Sequence, residues 1–203
     1  RDRDGDKKMI RLYLIRHGQT EGNKKKRYIG VTDEPLCEEG KSFLREMKYP
    51  ALQAVYVSPM RRCAETAEIL FPDRPVHVIE ELAECDFGDF ENKNYEELTG
   101  NPDYQVWIES GGTLPFPGGE SREAFCRRNL LGFQKAMTDC IRSGVSSAAF
   151  VVHGGTIMNI MEAYAVEERS FYQWHVENGR GYILDFDTEE WEKGRRCLIL
   201  REE

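Results

Sequence analysis

Four short stretches of this chain hold side chains suited to chemistry on an anion. Arg16-His17-Gly18-Gln19-Thr20, with Asn23 close behind, follows a short apolar run over 10–15. An imidazole beside a fixed guanidinium is discouraged from taking a proton, so its lone pair stays available; His17 is a candidate nucleophile. Gly18 lets the backbone turn sharply there. His153 also stands at the end of an apolar run, 148–152, and opens Gly154-Gly155-Thr156. Free amides at a helix start favour an anion, so this turn is a candidate anion site. Ser58-Pro59-Met60-Arg61-Arg62, followed by Thr66, places Arg62 in the first turn of an expected helix. A cation there opposes the helix dipole, which points to an anionic partner. Glu84 lies among Leu82, Phe87 and Phe90. A carboxyl in apolar surroundings keeps its proton to higher pH and can donate it. Each stretch alone has a plain explanation: a surface Arg-His pair, a turn, an exposed Arg pair, one glutamate among many. Two His-Gly turns, each at a strand end in one chain, are harder to explain that way.

These groups need elements to position them. Apolar patterning predicts strands over 10–15, 54–57, 75–79, 148–152, 181–186 and 197–200. Helices are predicted over 38–48, over 121–143, over 156–164 and, as a short one, over 170–175. Another is predicted to run to about Leu70, with Ser58 as its cap and Pro59 as its first residue. The stretch 87–120 is irregular, with Asn-Pro, Gly-Gly and Pro-Phe-Pro-Gly-Gly, and reads as an inserted lid with one or two short helices. Alternating strands and helices predict a three-layer α/β/α sandwich with a mostly parallel central sheet. Ligands bind such sheets beyond the carboxyl ends of the strands, where His17 and His153 are expected.

The 203 residues are 40% hydrophobic and 11% aromatic, enough for a well-packed core. With 28 basic and 36 acidic residues the formal charge is −8, which argues against nucleic acid or an anionic membrane surface as partner. An anionic substrate would need a local positive site. No apolar run approaches the length of a membrane span. Residues 1–8 are charged apart from Gly5 and lack an apolar core, so they read as a disordered or extraneous leader, with one folded domain over 9–203. The six cysteines include no C-x-x-C pair; they read as reduced thiols of a cytoplasmic protein and not as metal ligands. Oligomeric state is not legible.

Taken together, the chain resembles the histidine phosphatase superfamily, in the branch that includes cofactor-dependent phosphoglycerate mutases. The stretches that carry the resemblance are LIRHGQTEGN (14–23), SPMRRCAETA (58–67), ELAECDFGDFE (81–91), PGGES (117–121) and VVHGGT (151–156), in the family's order. Among its members the layout is most similar to the α-ribazole phosphatases. The resemblance implies His17 as the phospho-accepting nucleophile, Glu84 as the proton donor, and Arg16, Arg62 and His153 around the phosphoryl group. Asn23, Thr20 and Gly154 would touch the substrate. Cys63 departs from the family's usual Ala but is also small. The implied activity is phosphomonoester hydrolysis through a phosphohistidine on a small phosphorylated metabolite. No metal or other cofactor is called for, because arginines supply the positive charge. Over 91–120 there are six acids, one Lys and no Arg, a poor cradle for the second anion that a mutase must hold. Phe90, Tyr95, Tyr104, Trp107 and Phe116 instead suggest a leaving group with an uncharged, ring-containing body, although such rings also serve simple packing. The alternatives are a phosphoglycerate mutase and a non-catalytic phospho-ligand binder. The basic run 24–27 reads as a solvated loop beside Asn23. His77 and His175 have no assigned role, His175 reading as structural, and Asn178-Gly179, just before the strand at Gly181, is placed to approach the pocket.

Overall fold

The computed structural model describes residues 8–201. The charged leader expected over 1–8 therefore lies outside the described residues, Lys8 excepted. The elements run β1 (Met9–Arg16), α1 (Glu21–Lys24), α2 (Glu38–Arg45), β2 (Ala54–Val57), α3 (Arg61–Leu70), β3 (Val76–Val78), α4 (Pro102–Glu109), α5 (Arg122–Ser143), β4 (Ser147–Val152), α6 (Gly154–Tyr164), β5 (Gly181–Asp187), α7 (Thr188–Glu192) and β6 (Leu198–Leu200). The six strands form one sheet in the order β3-β2-β4-β1-β5-β6. Strands β3, β2, β4 and β1 are parallel, while β5 runs antiparallel to both its neighbours. The expected α/β architecture with a mostly parallel sheet is what forms.

The register of the central pair builds the site. Arg16, the last residue of β1, lies opposite Val152, the last residue of β4. The next residues, His17 and His153, therefore leave adjacent parallel strands side by side. Parallel strands are buried on both faces, and here one face packs Leu12, Leu14 and Phe150 against Phe133, Met137 and Ile160 from the helices above. The opposite face packs Ile15, Val57 and Val151 against Cys63 and Ala67 of α3. Each such fully buried side chain contributes about 1.5–3 kcal/mol relative to exposure. The ends of the central strands are thereby held rigidly. No helix among the described residues is long and apolar enough to cross a membrane, and all six cysteines are free thiols.

The start of α3 differs from expectation in an informative way. The helix begins at Arg61, with Met60 in the cap position and no side-chain cap bond. Asp33 takes that job from a distant loop by accepting from the Arg61 amide at 2.6 Å. Ser58 is left free for another partner. The two shortest helices also escaped the periodic pattern. The four residues of α1 are fixed by a reciprocal cap in which Thr20 Oγ1 accepts from the Asn23 amide and Asn23 Oδ1 from the Thr20 amide. Asp187 caps α7 by accepting from the Glu189 and Glu190 amides. The segment 87–120 forms a 3-10 turn over Gly88–Phe90 and then α4. Its rings pack with Tyr28: Phe87 on Phe116 at 4.9 Å, Trp107 on Phe116 at 5.1 Å and Tyr28 on Phe87 at 5.4 Å between centroids.

Candidate active site

His17 is only 3% exposed. Its Nδ1 lies 2.7 Å from the Gly18 carbonyl oxygen. A carbonyl can only accept, so the proton is on Nδ1 and Nε2 bears the lone pair. Burial, then the charges of Arg62 and Arg16, hold the imidazole well below its usual pKa. The ring is thus a neutral nucleophile with a fixed tautomer. Four further bonds hold its turn in place. The Gly18 amide donates to Thr66 Oγ1, which donates to the Arg62 carbonyl. Asn178 Nδ2 donates to the His17 carbonyl and to Asn23 Oδ1.

Around the ring, three buried donors have no protein partner: Arg16 Nε, Arg62 Nε and His153 Nδ1. A buried polar group without a partner is costly, so three of them converging on one histidine describe a site shaped for a multivalent acceptor. Each cation is held from behind by carbonyls. Arg16 Nη1 donates to Val176 O at 2.8 Å. Arg62, fully buried, donates to the carbonyls of Thr32, Gly30 and Ile29. The two imidazoles are 5.2 Å apart between centroids, edge to face.

Ser58 engages one nitrogen of the His153 ring. Ser58 Oγ lies 2.7 Å from His153 Nε2 and already accepts from the Met60 amide, while Cys63 Sγ stands 3.6 Å from the same nitrogen. When the Ser58 hydroxyl donates to Nε2, the ring proton sits on Nδ1, the atom that has no protein partner. Burial and neighbouring Arg62 keep this ring neutral as well. Replacing Ser58 with alanine is expected to free the tautomer and weaken inhibition by inorganic phosphate roughly tenfold, the scale of a lost buried hydrogen bond. An unchanged phosphate inhibition constant would show that Ser58 does not set the donor.

Glu84 approaches from the other side. Its Oε1 accepts from the Cys85 amide at 3.0 Å, and the Gly155 amide in the first turn of α6 also bonds to it. A Cβ on Gly155 would come within 2.7 Å of Glu84 Oε1 and 2.9 Å of the Phe125 ring, so a larger residue there would displace the carboxyl or the ring. Burial raises the Glu84 pKa, opposed by the Cys85 amide and the charges of Arg62 and Arg16. Above Arg16, Glu84 and Gly154 opens a cavity of about 280 Å³, walled by Tyr28, Phe87, Trp107, Phe116, Phe125, Phe171 and Tyr172. A second, more polar groove runs from Arg16 past Asn23 to Lys24, Lys26 and Arg27.

Arg16, Glu84 and Gly154 line the cavity, while His17, Arg62 and His153 do not line it but lie close enough to Arg16 and to one another that, beyond burial, the charges of Arg62 and Arg16 lower the pKa of both imidazoles. Asn23 lies on the polar groove, whereas Thr20 is fully buried and reaches the site only through its cap with Asn23. The expected surroundings of Glu84 differ. Leu82 belongs to the core and Phe90 to the ring cluster, so only Phe87 shares the cavity wall with it. Of the other aromatics named, Trp107 and Phe116 line the cavity, Tyr104 packs behind them and Tyr95 faces the groove. His175 lines both openings, while His77 stacks on Tyr56 at the sheet edge. Arg122, the first residue of α5, lies over the Phe171 ring at 4.5 Å and brings to the cavity a cation that a charge count ending at residue 120 omits.

The chain is similar to proteins already known. A 29% identical relative, over 87% of this chain and 90% of its own length, is the adenosylcobalamin/alpha-ribazole phosphatase of Salmonella typhimurium. A 27% identical one, over 94% of this chain and 97% of its own, is the 2,3-bisphosphoglycerate-dependent phosphoglycerate mutase of Parvibaculum lavamentivorans. The crystal structure of the alpha-ribazole phosphatase from Shigella flexneri superposes with a TM-score of 0.79 at 26% identity, covering 95% of both chains. Residues 12–196 match the sequence model of the histidine phosphatase superfamily (branch 1). That match begins inside β1, spans both His-Gly turns and stops just short of β6. It takes in the fold and not merely a motif, and the chain belongs to the histidine phosphatase superfamily.

Proposed function

We propose that the protein is a metal-independent phosphomonoesterase that works through a phosphohistidine on His17. The observation that carries this is the fixed lone pair on His17 Nε2, set among donors that lack protein partners. A phosphomonoester brings about −1.5 to −2 charges at neutral pH. Arg16, Arg62, the neutral His153 N–H and the amides opening α6 hold its oxygens and meet the charge that develops in transit. His17 Nε2 attacks phosphorus in line, the phosphorus–oxygen bond to the leaving group breaks, and Glu84 gives its proton to that oxygen. The Glu84 carboxylate then takes a proton from water as the water oxygen attacks phosphorus. The nitrogen–phosphorus bond breaks, inorganic phosphate leaves, and His17 and Glu84 return to their starting states.

Arg122 is the only full positive charge that the cavity wall adds to Arg16, and the rest of the wall is largely aromatic. A leaving group with a ring fits it, and α-ribazole 5'-phosphate has such a body. The likeness to the Salmonella enzyme supports that substrate. A mutase would have to place a carboxylate and a second phosphate against these walls, although the Parvibaculum relative keeps that reading in view. The deciding assay compares phosphomonoesters with ring-bearing leaving groups against phosphoglycerates, with a chelator present. Burial of one ring contributes about 1.5–3 kcal/mol, so kcat/KM should favour the ring-bearing esters roughly tenfold or more and ignore the chelator. Primer-dependent interconversion of phosphoglycerates without phosphate release would replace the phosphatase with a mutase.

A further inference from the structure

The loop over 29–32 is a thin wall with a charge on each side. On one side, the Glu91 carboxylate accepts from the amides of Gly30 at 2.9 Å, Val31 at 3.2 Å and Thr32 at 3.1 Å, and from the Thr32 hydroxyl. On the other, Arg62 donates to the carbonyls of Gly30 at 2.8 Å, Thr32 at 2.7 Å and Ile29 at 3.3 Å. The pairing is peptide by peptide. The unit joining Ile29 to Gly30 has its N–H on Glu91 and its C=O on Arg62, and so does the unit joining Gly30 to Val31. A trans peptide points these groups in opposite directions, so two successive dipoles lie between carboxylate and guanidinium. Hydrogen bonds in such chains polarise one another.

The wall has little room to shift. A Cβ at Gly30 would sit 1.9 Å from the Cys85 carbonyl oxygen, so the loop is pressed against the backbone next to Glu84. Asp33, at the end of the loop, holds the first amide of α3. The Tyr28 carbonyl accepts from the Asn92 amide, tying the loop to the residue after Glu91. Among the described residues no Lys, Arg or His forms a salt bridge with Glu91. Its charge is answered by loop amides whose carbonyls face the buried arginine.

We propose that Glu91 is a positioning residue for phosphoryl binding: through the peptide units over 29–31 it fixes where Arg62 presents its guanidinium. Glu91 touches neither substrate nor His17 and acts only through the loop. The inference rests on Arg62 gripping the phosphoryl group, as in the proposed function. Glu91→Gln keeps the shape but removes the charge and turns an amide N–H₂ toward loop donors, so the wall must rearrange.

The test is a double-mutant cycle read by orthovanadate inhibition of the full chain. Glu91→Gln alone is expected to raise the vanadate inhibition constant roughly 10-fold to 100-fold, the scale of a small misplacement of a binding group. In an Arg62→Ala background the same change is expected to do almost nothing more. Equal weakening in both backgrounds, as a merely structural role would give, overturns the proposal, and so does an unchanged constant in the single variant. If Glu91→Gln does not fold, Glu91→Asp enters the same cycle under the same criteria. Arg62→Ala that leaves vanadate inhibition intact would sink the parent reading through a separate signature.

Discussion

Replacing His17 with alanine is expected to bring turnover to background, a loss on the order of 10⁵–10⁶, the scale reported when an enzyme's nucleophile is removed. No other described side chain can take over. The second imidazole, His153, is fully buried, with its Nε2 engaged by Ser58 and Cys63. Binding should survive chemistry here. Arg16 and Arg62 keep their carbonyl supports at Val176, Thr32 and Gly30, none of which depends on the imidazole. Inorganic phosphate should therefore inhibit or protect the variant nearly as well as the parent, while labelled phosphate from substrate should no longer attach to protein. Alanine at 17 with appreciable turnover would remove the phosphohistidine and leave direct attack by water.

Much of this site is legible in the chain itself, because strand ends are legible. Apolar runs that stop at Arg-His-Gly and at His-Gly-Gly mark where β1 and β4 deliver their histidines, and the parallel register completes the juxtaposition. What stayed hidden depends on partners distant in sequence. Ser-Pro reads locally as a helix start, yet the Ser58 hydroxyl turns to His153, 95 residues away, and Asp33 supplies the missing cap. Glu91 counts as one more acid in a repulsive segment, whereas its charge is absorbed by loop amides. Glu120 likewise bonds Arg128 and the Asp86 amide instead of facing the cavity. A count of charges along the chain therefore overstates how negative the pocket is. The cavity walls Phe125, Phe171, Tyr172 and Arg122 come from outside 87–120, and nothing in their spacing marks them as neighbours of that segment.

Glu84→Gln should separate the two steps of the reaction. With an alkyl phosphate the leaving oxygen needs a proton as its bond breaks, and losing the donor should cost about 10²–10⁴-fold in kcat/KM. A p-nitrophenyl leaving group departs without one, so His17 should still be phosphorylated at close to the normal rate. The second step then lacks its base, since glutamine cannot take a proton from water. A phosphorylated enzyme should build up, visible as a burst of nitrophenol followed by slow turnover. The pH profile gives an independent reading. Burial and the two arginines push the His17 pKa down, so its lone pair is free well into acid. Burial pushes the Glu84 pKa up, so its proton persists above the usual carboxylate range. Phosphorylation of His17 by an alkyl ester needs the first group bare and the second protonated. The parent profile should therefore rise through the low His17 pKa, peak on the acid side of neutrality and fall as Glu84 ionises. In Glu84→Gln, measured with an alkyl phosphate, the alkaline fall assigned to this carboxyl should disappear from the residual activity while the acid limb remains. Equal losses on alkyl and nitrophenyl esters, with the alkaline limb intact, would assign the proton to a different group.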